Sequence, residues 1–191
     1  MRELAILTFV TLDGVMQAPA QPDEDPSGGF QRSGWGWPYW EEVMAQVGQE
    51  AMQEPYDLLL GRKTYESFAS YWVNAEEGAE TNTLNDSTKY VATNTLTNLE
   101  WQHSIALNGD IAAEVAKLKA QDGKLLQVHG SWQLIQLLLA HDLVDEFRLW
   151  VFPLTVGPGK RLFDEDTAPK NLQLVKTAST PNGVVMTIYR R

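Results

Sequence analysis

A chain of 191 residues, 43% hydrophobic and 21% charged, has the size and make-up of one globular domain able to bury about 70% of its unfolded surface. Its 25 acidic residues outnumber 15 basic ones, a formal charge of −10, which argues against nucleic acid or an acidic membrane as a bulk partner. With no cysteine and three scattered histidines (His103, His129, His141), disulfides, thiolate metal sites and a cysteine nucleophile are excluded and no metal centre is expected.

Leu4 to Val10 is a nearly unbroken apolar run, the pattern of a strand covered on both faces. The start, Met1-Arg2-Glu3-Leu4, lacks the basic-then-apolar layout of a signal peptide, and no stretch reaches the ~20 apolar residues of a spanning helix. A cytoplasmic protein is expected. Leu12-Asp13-Gly14 stops the strand, and from there to Trp40 the chain is rich in Pro, Gly and acids without any period. Loops longer than about 15 residues in compact domains are usually functional or disordered. Its aromatic last third, Phe30 to Trp40, is expected to pack.

Val43, Met44, Val47 and Ala51 then share a helical face that Pro55 ends. Leu58-Leu59-Leu60 is a short buried strand, followed by Gly61 and a helix with Tyr65, Phe68, Ala69 and Trp72 on one stripe. Asn74 to Asp86 reads as a polar surface loop. Tyr90-Val91-Ala92 and Ile105-Ala106-Leu107 are strands, and Ile111, Val115 and Leu118 mark a helix closed by Asp122-Gly123. Leu125 to Val128 is a strand running into His129-Gly130-Ser131, before an apolar helix through Leu134, Leu137 and Leu138. Phe147, Leu149 and Val151 alternate with Glu146, Arg148 and Trp150 at period two. Leu172 to Thr177 and Val184 to Tyr189 flank Pro181-Asn182-Gly183, an antiparallel hairpin signal. Strand–helix alternation followed by antiparallel strands predicts an α/β fold with a mixed sheet and helices on its faces. No repeat or linker divides it, so residues 1–191 are read as one domain.

Two segments share a layout of apolar strand, glycine, small polar or basic residues, then helix. They are Leu60-Gly61-Arg62-Lys63-Thr64 and Val128-His129-Gly130-Ser131. Each helix start offers unpaired N–H groups with partial positive charge, so the pair suits the two halves of a diphosphate. The competing reading is two tight turns with Thr64 and Ser131 as helix caps. Trp35, Trp37, Tyr39 and Trp40 are the densest aromatic cluster, fit either to stack a planar heterocycle or to seal a loop onto the sheet. Lys160 and Arg161, in a Gly-Pro-Gly loop, suit the neutralising of acidic neighbours or the binding of a substrate phosphate. His129, beside the second corner, reads as a structural histidine or a phosphate donor.

Thr11-Leu12-Asp13-Gly14-Val15, Leu60 to Glu66, Val128 to Ser131, and Leu143-Val144-Asp145-Glu146 leading to Pro153 and Gly157 to Phe163 occur in one order at family-compatible spacing. On these motifs nearly the whole chain resembles the dihydrofolate-reductase-like superfamily. Within it, the chain is similar to stand-alone bacterial relatives of the C-terminal reductase domain of the bifunctional riboflavin-biosynthesis deaminase-reductase. The resemblance implies a three-layer α/β/α fold on a mostly parallel sheet, NADPH as hydride donor and a homodimer. It places Arg62 at the adenosine 2′-phosphate with Thr93 and Asn94 beside it, Gly61, Lys63 and Thr64 at the first phosphate turn, and Gly130, Ser131 and Trp132 at the second. Leu12, Asp13 and Gly14 fall along the nicotinamide. A guanidinium fits a 2′-phosphate and favours NADPH over NADH.

Folate reductases carry a buried carboxylate at the start of the helix after the long loop. Here Trp40 or Glu41 falls near that place, so Glu41 and Asp13 are the candidate acids, with a helix-dipole role open for Glu41 and a turn role for Asp13. Trp35, Trp37 and Trp40 are the candidate substrate platform. The expected function is an NADPH-dependent reductase of a small pterin- or ribosylaminopyrimidine-like heterocycle. The alternative is a catalytically inactive NADP(H)-binding dimeric module.

Overall fold

The computed structural model describes residues 1–191, the side chains of residues 79 and 80 excepted. The first strand, β1 (Leu4–Thr11), is buried along almost its whole length, as its continuous apolar run requires. After the long loop come α1 (Trp40–Ala51), β2 (Tyr56–Gly61), α2 (Arg62–Trp72) and α3 (Ala79–Asp86). Then follow β3 (Lys89–Ala92), β4 (Ser104–Leu107), α4 (Ile111–Ala120), β5 (Leu125–His129) and α5 (Trp132–Ala140). The chain ends with β6 (Glu146–Phe152), β7 (Gln173–Ser179) and β8 (Val185–Arg190).

All eight strands form one sheet in the order β4-β3-β2-β5-β1-β6-β8-β7. From β4 to β6 every pairing is parallel, and β8 and β7 close the far side antiparallel. Leu134, Ile135, Leu138 and Leu139 of α5 join Val115 and Leu118 of α4 against one face. On the other, Val43, Val47 and Ala51 of α1 pack against Trp150, Phe152, Met186 and Ile188, while Tyr65 of α2 packs with Leu58, Leu60 and Trp101. This is the expected three-layer α/β/α arrangement with a mixed, mostly parallel sheet. Burying each large apolar side chain contributes about 1.5–3 kcal/mol.

One local expectation changes. Segment 74–86, read as a loop, contains α3, which docks through Leu84 into the layer of Tyr65 and Trp101. One leucine in a polar run leaves no period to read. At the hairpin, Gly183 takes positive φ (+91°), but Asn182 is held by side-chain bonds, accepting from the Thr180 hydroxyl and donating to Glu42. The Thr180 N–H reaches the Val184 carbonyl, so the turn is longer than a two-residue one.

The loop from Asp13 to Trp40 is pinned from within by Gln17, which is buried. Its Nε2 donates to the carbonyls of Asp25 and Ser27, both at 3.0 Å. Its Oε1 accepts the Lys160 N–H, and its carbonyl accepts the Trp35 indole N–H at 2.8 Å. Among the described residues no helix is long and apolar enough to cross a membrane, and no three His, Cys, Asp or Glu cluster as metal ligands.

Candidate active site

Six parallel strands bring their carboxyl ends to one edge, the usual ligand edge of open α/β sheets. Along it lie Thr93 and Asn94 after β3, Gly61 to Thr64 after β2, Gly130 to Trp132 after β5, and Leu12 to Gly14 after β1. Residues up to 120 positions apart in sequence are thus brought together by strand order alone. Because β2 pairs with β5, the two glycine corners are immediate neighbours.

The corners interlock through hydroxyls. The Gly61 N–H donates to Ser131 Oγ at 2.9 Å, and the Ser131 N–H donates to Thr64 Oγ1 at 3.1 Å. Neither hydroxyl caps its own helix; α2 and α5 both lack a side-chain cap on the N-cap residue. Each corner therefore fixes the other and leaves first-turn amides at both helix starts for an anion. Gly130 (φ +52°) and Ser131 (φ +55°) are successive left-handed residues. For a serine this conformation costs about 1–2 kcal/mol, strain of the kind that clusters at ligand clamps. Gly61 differs: its φ is −74°, and a Cβ there would lie 3.6 Å from Ser131, an ordinary contact.

The charged groups fall into distinct roles. Arg62 lies 3.9 Å from Glu66 with both side chains half exposed, a pair too solvated to hold the guanidinium in place. Lys63 is exposed beside it. Thr93 is buried, and its hydroxyl accepts the amides of Thr95 and Leu96; Asn94 Oδ1 accepts the Gly109 N–H at 2.7 Å. Asp13 accepts from the Thr11 hydroxyl and from the amides of Val156 and Gly157, the latter at 2.8 Å. Partial burial alone would raise its pKa, but these donors outweigh it and hold the carboxyl below its usual 3.8. Asp13 is thus an ionised tether for the loop after β6, while Gly14 (φ +81°) completes a turn by donating to the Thr11 carbonyl.

Residues 2–186 match the model of the RibD C-terminal domain. The chain belongs to the RibD C-terminal domain family. YyaP of Bacillus subtilis strain 168, described as uncharacterized, is 34% identical over 136 residues, 69% of this chain and 72% of that one. YwjB of the same organism, likewise uncharacterized, is 29% identical over 120 residues, 63% of this chain and 65% of that one. Among solved structures, a candidate riboflavin biosynthesis protein of Shewanella sp. PV-4 superimposes with a TM-score of 0.66 at 19% identity, covering 100% of this chain and 99% of that one. Dihydrofolate reductase of Enterococcus faecalis, complexed with NADP(H), gives 0.64 at 13% identity over 99% and 96%. A pyrimidine reductase-like protein of Corynebacterium diphtheriae gives 0.64 at 13% identity over 99% and 91%. At these identities the structures establish a shared reductase-like fold.

In this RibD-type chain the aromatic cluster divides. Trp35 is buried against Phe152 and serves the core. Trp37, 61% exposed, stacks on Trp40 with centroids 6.5 Å apart, and Trp40 meets Phe9 edge-on. Glu41 is exposed in the first turn of α1. His129 is buried between Tyr56 and Phe68, with Nε2 2.9 Å from Gln127 Oε1. Burial, then the Arg148 guanidinium, lowers its pKa to about 4, so it is a neutral structural residue.

A groove of about 1020 Å³ opens beside the second corner, lined by Trp132, Gln17, Phe30, Arg32, Lys160, Arg161 and Phe163 among others. It does not include the Trp37–Trp40 pair. Gln17 and Arg32 are residues that sequence reasoning passed over, while Phe163 entered it only as the end of the Gly157 to Phe163 motif. Gln17 carries no signal beyond its type, whereas Arg32 is a lone base in an acidic loop.

Proposed function

We propose that the chain is an NADPH-dependent reductase that transfers a hydride to a small pterin- or ribosylaminopyrimidine-like heterocycle. The observation that carries the proposal is the pair of hydroxyl-interlocked glycine corners on adjacent strands, each at an uncapped helix start. These residues fit a dinucleotide phosphate. Amides of α2 and α5 and the Lys63 ammonium suit the diphosphate; Arg62 suits the 2′-phosphate; Leu12 and Gly14 border the nicotinamide end of the same edge. When bound, the cofactor supplies the hydride. The chain's own residues position both partners, and the Trp37–Trp40 stack offers a flat surface for the heterocycle. Asp13 acts by holding the loop at Val156 and Gly157, and water is the proton source consistent with an ionised Asp13. Assembly as a homodimer is part of this reading; exposed Leu174, Val175 and Val185 on the outer hairpin support it.

A second reading, a dimeric NADP(H)-binding module without turnover, is favoured by the state of the two candidate acids: Asp13 is committed to a loop and Glu41 is open to solvent. Titration calorimetry with NADPH and NADH tests the shared claim. Tighter binding of NADPH is expected, and equal binding of both overturns the 2′-phosphate assignment. Loss of NADPH absorbance on adding pterins or aminopyrimidines decides for the reductase; binding without turnover across such a panel decides for the module.

A further inference from the structure

Two asparagines are followed by glycine, Asn108 and Asn182. In such a pair the glycine has no Cβ to keep its backbone nitrogen away from the asparagine side chain. Once deprotonated by water, that nitrogen attacks the side-chain Cγ. The Cγ–Nδ2 bond breaks, and ammonia leaves with a proton taken from solvent. Water then opens the cyclic imide at either carbonyl and leaves aspartate or isoaspartate, in both cases a new carboxylate. The reaction requires solvent at the bond and a side chain free to turn toward the glycine nitrogen.

The two pairs are alike in backbone and differ in side chain. Both glycines are exposed and take positive φ, +77° at Gly109 and +91° at Gly183. Both glycine N–H groups are bonded, Gly109 to Asn94 Oδ1 at 2.7 Å and Gly183 to the Thr180 carbonyl at 3.0 Å. The Asn182 amide, however, is held at both ends. Its Oδ1 accepts the Thr180 hydroxyl at 2.6 Å, and its Nδ2 donates to Glu42 of α1 at 2.7 Å. Asn108 is exposed, and among the described residues its side chain has no hydrogen-bond partner. A Cβ on Gly109 would meet nothing within 4 Å, so solvent reaches the bond. Asn108 directly follows β4, where the Leu107 carbonyl accepts the Thr93 N–H at 3.0 Å. With the Gly109–Asn94 bond, this sets the pair against the Thr93–Asn94 end of the carboxyl edge.

We infer that Asn108–Gly109 is a site of spontaneous deamidation, restrained by Asn94 through the Gly109 amide, and that the carboxylate it creates weakens phosphate binding at Thr93 and Asn94. The effect on phosphate binding rests on the NADPH reading; the modification does not. Asn182–Gly183 is the clamped counterpart in the same chain.

The test is peptide mapping by mass spectrometry of the full chain, aged at mildly alkaline pH both folded and in urea. In urea the two asparagines are expected to convert at similar rates. In the folded chain Asn108 is expected to convert at least about tenfold faster than Asn182, the worth of about two hydrogen bonds. Asn94→Ala should speed Asn108 by about two- to tenfold and leave Asn182 unchanged, while Glu42→Ala should speed Asn182 alone. Asn108→Asp, which carries the carboxylate from the start, should bind NADPH about two- to fivefold more weakly, with a smaller change for NADH. Equal conversion of both asparagines in the folded chain, or faster conversion of Asn182, overturns the modification site. An Asn108 rate indifferent to Asn94→Ala overturns the restraint, and unchanged NADPH affinity in Asn108→Asp overturns the effect on binding. If the unmodified chain binds no NADPH while Asn108 still converts first, the cofactor reading falls and the modification site stands.

Discussion

The two edges of the parallel sheet are built on opposite electrostatic rules. At the amino edge, charges are buried and matched. Arg2 pairs with Asp57 and donates to the Lys124 carbonyl, Lys119 pairs with Asp145, and Glu146 is held between Arg148 and Arg190. At the carboxyl edge, Lys63, Arg32 and Arg161 have no ion-pair partner among the described residues, two helix starts are uncapped, and two successive residues sit in left-handed backbone. Both edges draw on the same strands, so the difference lies in what each is completed by. The amino edge is completed by the chain itself, and the carboxyl edge fits completion by a ligand. Breaking a buried pair should cost stability, whereas removing a carboxyl-edge cation should cost binding.

The sharpest break is Arg2→Met, which leaves Asp57 buried with the Thr88 amide at 3.3 Å and Lys124 at 3.9 Å as its remaining partners. It should lower unfolding free energy by about 3–5 kcal/mol, read by urea denaturation, while the folded fraction binds NADPH normally. A smaller stability effect comes from His129 and depends on pH. Its folded pKa of about 4 lies below the ordinary 6.5, so the unfolded chain takes up the proton first. Stability is full above about pH 6.5 and falls as pH drops toward 4, by about 3 kcal/mol. The pH dependence of denaturation in His129→Gln should be flatter over that window; an identical slope would contradict the buried neutral histidine.

Effects at the other edge should appear in binding. Arg62→Ala should weaken NADPH by about 1.5–3 kcal/mol, roughly ten- to hundredfold, with NADH changed by less than about threefold and the thermal midpoint little moved. Ser131→Ala sits on the boundary between the rules. It strips the acceptor from the Gly61 N–H and should cost about 1 kcal/mol of stability, together with a measurable loss of NADPH affinity as the corners separate.

Much of the scaffold was legible because β1, β2, β5 and α5 carry strong local patterns. The glycine corners were legible as isolated turns, and strand order then made them neighbours. What escaped reading depends on distant partners. Nothing local says that Ser131 Oγ will accept from Gly61, 70 residues away, or that Asp25 will claim Lys160, 135 residues on, and leave Arg161. The aromatic cluster has no helical or strand period, so Trp35 facing inward while Trp37 faces out was not readable. Asp13 was read as an acid or a turn; its tether to the Val156–Gly157 amides emerges only when β1 and β6 pair.

Amide chemical-shift mapping during an NADPH titration tests most directly whether the carboxyl edge is the one awaiting a ligand. The account predicts the largest shifts at Arg62 to Thr64, Gly130 to Trp132, Thr93 and Asn94, with Arg2, Asp57 and Glu146 unmoved. Shifts concentrated at the amino edge, or none at the glycine corners under saturating cofactor, would contradict it.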